Sequence, residues 1–472
     1  MVAIIATKDL LILYKICITL RKNLSLVKNK TGIQSTNFTF DEPEIRYVFN
    51  TYLSILGVQN LHFQIEVFEQ TFVKILISTP EESKCVKFKL TEPGLVKLFL
   101  NKEISLRSFN SIHTVSKVPF FGEDPNWIKF DNFDFFSIPF IELSRIEEYY
   151  STKLDKHGRF KFEESLAYHY NYFKIAIVDE YALIFKELLL DKFNSIIFRT
   201  QTSSVITTHD IDEIERFPSL KLTLRTLIGD LILYKSLALL FRSLIQLLKK
   251  GLRISGDPYT DSIIFLADES QKRGLKSIFF FMASNKNEFD KGYELHKLIP
   301  VFEFLKSKEI SIGFHPGYFA YDSLEVFKRQ LQKLENFTDL KIDRSRQHFL
   351  RFNIEKTVKI LIDSDVKVDY TLGYAEQEGF RCGTSHKYKF YNLNEREAFN
   401  FEIQPLIAMD VTLIEYRKYS EKEALSSLLD LKKKIDAYKG VFTILWHNTY
   451  VNREPKRFEE IYIRFLKAVK KQ

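Results

Sequence analysis

After about residue 200 the chain repeats one texture: an apolar β-like run, a polar loop, then a segment of helical period. The runs are Val205-Ile206-Thr207-Thr208, Ser277-Ile278-Phe279-Phe280-Phe281-Met282, Ile310-Ser311-Ile312-Gly313-Phe314, Val366-Lys367-Val368-Asp369-Tyr370 and Val441-Phe442-Thr443-Ile444-Leu445-Trp446. Strands that alternate with helices in this way belong to a parallel sheet or barrel. Candidate chemical groups stand at the C-terminal ends of these runs, which is where (β/α) barrels carry their sites.

At 472 residues the chain exceeds what one hydrophobic core usually organises, so two domains are expected. Residues 1–195 mix β-like runs such as FVKILIST and CVKFKL with helical stretches and read as a smaller α+β domain; residues 196–472 form the barrel. Gly and Pro are scarce, at 16 and 12, which excludes a linker-rich or disordered chain. The segment from Asp131 and Asp134 through Arg145, Glu147 and Glu148 to Asp155, His157 and Arg159 is dense in charge. Arg145 and Glu148, three apart, share a helix face, so an internal ion-pair cluster is expected there.

The net charge of +8 comes from 69 basic and 61 acidic residues. The bases occur as short pairs between apolar positions, a solvated surface and not a nucleic-acid stripe. Cys17, Cys85 and Cys382 are odd in number and far apart, which excludes a disulfide framework and a cysteine zinc site. A reducing, cytoplasmic setting follows. The apolar N-terminus reads as a strand and helix of the folded domain. A Leu-rich helical insertion at about 220–252 is interrupted by Arg225, Asp230, Lys235 and Arg242, too often for a membrane span. It reads as an amphipathic helix or helix pair packed against the barrel. Peripheral membrane contact is the rival, for which a mixed-sign polar face is a poor match.

Four motifs carry the chemistry. Thr207-Thr208-His209-Asp210-Ile211-Asp212 offers two carboxylates for different tasks, one a general base and one a metal ligand. Ile312-Gly313-Phe314-His315-Pro316-Gly317-Tyr318 ends a strand on a histidine. Arg346-Gln347-His348-Phe349-Leu350-Arg351 packs two cations and an imidazole into six residues. Leu445-Trp446-His447-Asn448 again puts a histidine directly after an apolar strand, in reach of general-acid work. Arg381, in a Gly-rich loop, reads equally as a substrate ligand and as the partner of an acid. Asp257-Pro258-Tyr259 reads as a helix cap followed by Pro in the first turn.

Taken in order over residues 200–470, these motifs resemble the NodB-like polysaccharide deacetylases of carbohydrate esterase family four. Phe140 to Tyr149 and Asp155 to Phe160 are similar to an uncharacterised domain found ahead of such enzymes in Bacteroidetes-type proteins. The resemblance implies a distorted (β/α) barrel of the polysaccharide deacetylase type. It implies metal-assisted hydrolysis of an N-acetyl group on a sugar or polysaccharide precursor. Asp210 would be the general base, Asp212 and His315 ligands of a divalent metal, zinc, and Arg346 the group that orients the base. His447 would protonate the leaving amine, and Arg381, Tyr318 and Trp446 would contact the carbohydrate. The chain departs from the family four residues after His315, where Phe319 stands in place of a second histidine. That leaves the metal short of the three protein ligands such sites require. His209, Tyr318, or solvent and substrate oxygens are the replacements in view. A non-catalytic carbohydrate-binding or scaffold protein that has lost its metal is one rival, and a hydrolase of small cyclic amides is another.

Overall fold

The structure, a computed structural model, describes residues 40–470 apart from 105, 111–116, 122–132, 233–235 and 452–456. The apolar N-terminus, Cys17 and Asp131 lie outside the described residues. The first part of the chain holds an antiparallel sheet of β1 (His62–Glu69), β2 (Phe72–Ser78) and β3 (Ser83–Lys89), a ribbon of β4 (Arg107–Asn110) and β5 (Lys117–Phe120), and helices between Glu42 and Lys192.

A nine-stranded sheet follows, curled into a half-barrel. Its strands are β6 (Ser204–Ile211), β7 (Lys276–Met282), β8 (Ser311–His315), β9 (Arg344–Ser345), β10 (Val368–Asp369), β11 (Tyr388–Asn392), β12 (Glu397–Ile403), β13 (Ala408–Met409) and β14 (Val441–Leu445). The spatial order is β11-β12-β10-β9-β8-β7-β6-β14-β13. Neighbours from β12 to β13 pair in parallel, and β11 runs antiparallel to β12.

Parallel strands are covered on both faces and so read as unbroken apolar runs; six of the seven residues of β7 are buried. Gly313 lets β8 approach β7 closely, since a Cβ there would come within 2.4 Å of the Phe280 ring. Helices Pro258–Gln271, Ile299–Ser307, Leu324–Thr338, Lys356–Asp363 and Glu421–Tyr438 alternate with the strands. Asp257 caps the first of these, its side chain accepting from the Tyr259 amide with Pro258 in the first turn, as the sequence predicts.

One hydrophobic cluster runs from Ile45 to Leu466, so the parts before and after residue 195 share an interior. A buried ionic cluster sits within it. Arg145 contacts Glu142, Glu147 and Glu148 at 2.9, 2.5 and 2.9 Å, and Arg381 forks onto Glu148 at 2.9 and 2.6 Å. Three carboxylates share two guanidiniums, so one carboxyl keeps its proton most readily. That is Glu142, pushed up to about 7 by burial against the opposing pull of Arg145. Because its folded value exceeds its unfolded one, Glu142 favours the fold at low pH, and that contribution is lost as pH rises through about 7. Urea unfolding tests this. Glu142→Gln is expected to cost less than about 1 kcal/mol at pH 6 and to flatten the fall in stability towards pH 8. Glu148→Gln, which takes from Arg381 its carboxylate partner and from Arg145 one of three, is expected to cost about 3 kcal/mol.

The Leu-rich insertion forms two helices, Leu220–Ile232 and Leu237–Gly251. The expectation that they pack against the barrel is corrected: Leu224, Phe241 and Leu248 are 60%, 64% and 62% exposed, because the faces turned inward carry mainly polar residues. No helix among the described residues is long and apolar enough to cross a membrane.

Candidate metal and acid–base site

Every group of the site lies at the C-terminal edge of the half-barrel. Strand pleating sends alternate residues to opposite faces, and at the end of β6 this sends Asp210, with Asp212 just beyond the strand, towards the site and His209 away from it. The His209 ring lies against Phe279 and Tyr462, its Nδ1 paired with the Trp446 carbonyl at 2.7 Å. Burial pushes that imidazole down to about 3. His209 therefore does not replace the missing ligand.

The candidate for a third donor is His348. Asp212, His315 and His348 offer ligand atoms that all lie within 4.8 Å of one another. His315 Nε2 stands 3.2 Å from Asp212 Oδ1, and His348 Nε2 3.8 Å from the same oxygen. Two zinc ligands at tetrahedral angles sit about 3.4 Å apart. Both imidazoles have their other nitrogen engaged: His315 Nδ1 with the Arg346 carbonyl at 2.6 Å, His348 Nδ1 with Asp290 Oδ1 at 2.8 Å. Such partners fix the tautomer that leaves Nε2 as the donor to a metal. Asp212 Oδ1 and His315 Nε2 are buried with no hydrogen-bond partner, a costly state for polar atoms unless a cation completes them. The residues present fit a divalent cation. Burial works against ionising Asp212, but His348 and His315 outweigh it and hold the carboxyl well below its usual range.

Local backbone explains how His348 turns inward. Phe349 and Leu350, just after it, have φ of +59° and +55°, conformations bulky residues adopt only when their surroundings impose them. Arg159 braces the turn, donating to the Phe349 carbonyl at 3.1 Å, while Arg351 donates to the His157 carbonyl at 2.7 Å. The charged segment at 155–159 thus supports the site from the N-terminal part. Gly317 leaves room for Asp290, whose Oδ2 would meet a Cβ there at 2.5 Å.

Two acid–base pairs flank the triad. Arg346 donates to Asp210 Oδ1 at 3.0 Å and to the Tyr370 carbonyl at 3.0 Å. On the other side His447 Nδ1 meets Asp410 Oδ1 at 2.7 Å, and the His447 amide donates to Asp410 Oδ2 at 2.5 Å. His447 Nε2 lies 3.7 Å from Asp212 Oδ2. Burial disfavours its charge, yet Asp410 prevails and raises the imidazole to about 10.

Three side chains expected to contact substrate are otherwise engaged. Trp446, of opposite strand parity to His447, is fully buried against Tyr462. Arg381 is 2% exposed, committed to Glu148 and the Gly373 carbonyl, so of its two readings the structure shows the partner of an acid. Tyr318 stacks on Phe289 at 3.8 Å, and its hydroxyl meets His157 Nδ1 at 3.1 Å. It forms a wall of an aromatic ledge and is not a third metal donor. Phe319, 50% exposed, packs on the same ledge.

A family of unknown function, DUF7033, matches residues 33–194. No curated protein matches the chain. Among solved structures, a protein from Mycobacterium smegmatis described as a polysaccharide deacetylase is 12% identical with a TM-score of 0.38, covering 57% of this chain and 85% of that one. A CE4 family pseudoenzyme from Bacillus anthracis is 12% identical with a TM-score of 0.28, covering 57% and 60%.

Proposed function

We propose that this chain is a metal-assisted amidohydrolase that removes an N-acyl group, an N-acetyl, from an amino sugar. The observation that carries the reading is the convergence of Asp212, His315 and His348 between two differently partnered acid–base pairs. Motif order supports the finer fold reading, a barrel of the polysaccharide deacetylase type following an N-terminal domain. Those three residues would hold a divalent cation such as zinc, which would supply Lewis-acid polarisation of an amide carbonyl and lower the pKa of water.

The remaining work falls to the protein's own groups. Asp210, held in place by Arg346, accepts the proton of the water whose oxygen attacks the carbonyl carbon. As the carbon–nitrogen bond breaks, protonated His447 gives its proton to the departing nitrogen, and Asp410 stabilises the imidazolium before transfer. Acetate and a free amine leave. The non-catalytic reading rests on Phe319, and His348 supplies the donor that Phe319 cannot. Asp212 is 27% exposed, and a site edge that reaches the surface favours a glycan over a small enclosed amide.

Metal content and acetate release, measured together on the purified chain against N-acetylated amino sugars, test the proposal. The expected result is one divalent ion per chain, with acetate release abolished by a chelator and restored by zinc. A metal-replete chain that releases no acetate from any of the panel would defeat it.

A further inference from the structure

The helical hairpin inserted after β6 is built inside out. On helix Leu220–Ile232 the residues turned inward are Thr223 and Asp230, and on helix Leu237–Gly251 they are Leu239 and Ser243. Arg216 donates to both Asp230 oxygens, at 3.3 and 3.1 Å, and Ser243 Oγ donates to the same carboxylate at 2.5 Å. This buried polar pin ties the two helices to each other and to the loop below them. The apolar side chains point the other way: Leu220, Leu224, Ile232, Phe241, Leu248 and Ile254 are each at least 60% exposed. About half of the large apolar side chains exposed among the described residues lie in this one stretch. A patch of that extent marks a surface that something covers.

Charge identifies the occupant. Between residues 219 and 254 the sequence holds Lys221, Arg225, Lys235, Arg242, Lys249, Lys250 and Arg253 against a single acid, Asp230, and that acid is the buried pin. The polar face is therefore not of mixed sign, as the sequence alone suggests, but cationic. Lys221, Arg225, Lys249 and Arg253 are exposed beside the leucines. Apolar side chains fringed by lysine and arginine match the acyl boundary and phosphates of an anionic bilayer, whereas a second copy would set cations against cations.

Position ties the hairpin to the site. It begins eight residues after Asp212, on the C-terminal edge of the sheet. Asp257 closes its base, accepting from the Arg216 and Phe217 amides at 2.6 and 3.1 Å and from Lys250 Nζ at 2.8 Å. Asn448, next to His447, holds the intervening loop by donating to the Glu213 carbonyl at 2.8 Å. We propose that the hairpin docks this chain on an anionic phospholipid surface with the Asp212 site at the contact's rim, and that the substrate is an N-acylated amino sugar carried on a lipid. The substrate half of this rests on the amidohydrolase reading; the docking half does not.

Flotation of the full chain with vesicles of phosphatidylcholine, alone or mixed with phosphatidylglycerol, tests docking. Binding is expected to be at least about tenfold tighter to the anionic vesicles and to weaken in high salt. Leu224→Glu combined with Phe241→Glu and Leu248→Glu, all at exposed positions, is expected to abolish it while leaving metal content unchanged. Absence of binding to anionic vesicles overturns the proposal, whether the chain is then a dimer hidden through these leucines or a monomer. For the substrate, acetate release from an N-acetylglucosaminyl lipid in anionic vesicles is compared with release from the same sugar free in solution. A kcat/KM at least about tenfold higher on the vesicles, lost in the triple variant with the soluble rate unchanged, is expected. Equal rates on both would overturn the lipid-carried substrate. Vesicle binding with no acetate release from either would instead sink the amidohydrolase reading and leave docking standing.

Discussion

His348→Ala is expected to remove the divalent cation and the acetate-releasing activity together while the chain stays folded. Three protein ligands are the usual minimum for a catalytic divalent site, and His348 offers a third ligand atom within reach of those of Asp212 and His315. Its ring is buried at the site's edge, and what it leaves behind is one carboxylate, Asp290, that still accepts the Tyr318 amide at 2.9 Å. The structural cost is therefore modest. Even losing a partner that only orients a ligand weakens metal affinity about 10- to 100-fold, so losing the ligand itself is expected to weaken it by more than about 100-fold. Calorimetric zinc titration alongside acetate release measures both. Phe319→Ala provides the contrast. Phe319 is half exposed and packs on Phe289 and Tyr318, so its removal is expected to leave zinc affinity within about threefold. Full zinc affinity in His348→Ala would mean that the third donor is elsewhere and that the site assembled here is not the metal's.

Much of this site is legible in the sequence, and what is hidden has identifiable causes. Asp210, Asp212, His315 and His447 follow apolar runs long enough to mark a strand and its end. His348 and Asp410 follow β9 and β13, each only two residues long, and two residues carry no period. His348 stands inside a motif that the sequence brings to notice, as an imidazole between Arg346 and Arg351, but nothing there marks it as a metal ligand. Its inward turn depends on left-handed Phe349 and Leu350, which nothing in their side chains announces. Asp410 had a usable signal: Leu406-Ile407-Ala408-Met409-Asp410 is an apolar run ending on an acid, akin to the acids Asp210 and Asp212 at the end of their strand. The substrate roles given to Trp446 and Arg381 fail for separate reasons. Trp446 has the wrong strand parity, and Arg381 answers to Glu148, a residue 233 positions away. The fold follows the same rule: long runs show the sheet, whereas the short strands, the sharing of one core across residue 195 and the outward leucines depend on contacts distant in sequence.

Asp410→Asn is expected to lower amide hydrolysis by about 100- to 1,000-fold without loss of metal. Asp410 is not one of the three candidate metal ligands; it accepts from His447 Nδ1, from the His447 amide and from the Val411 amide. An asparagine can keep the second contact but cannot stabilise a charged imidazole, and offering its amide N–H to Nδ1 would select the wrong tautomer. The consequence is specific to the step in which nitrogen leaves. An amine is a poor leaving group until it is protonated, whereas a phenolate departs unaided. Acetate release from an aryl acetate ester is therefore expected to fall less than about tenfold in the same variant, with KM little changed for either substrate. Equal losses on amide and ester would show that the His447–Asp410 pair positions substrate or site and does not deliver a proton. A large amide-specific loss at full metal content would separate proton delivery by His447 from whatever the cation does, because only one of the two has been touched.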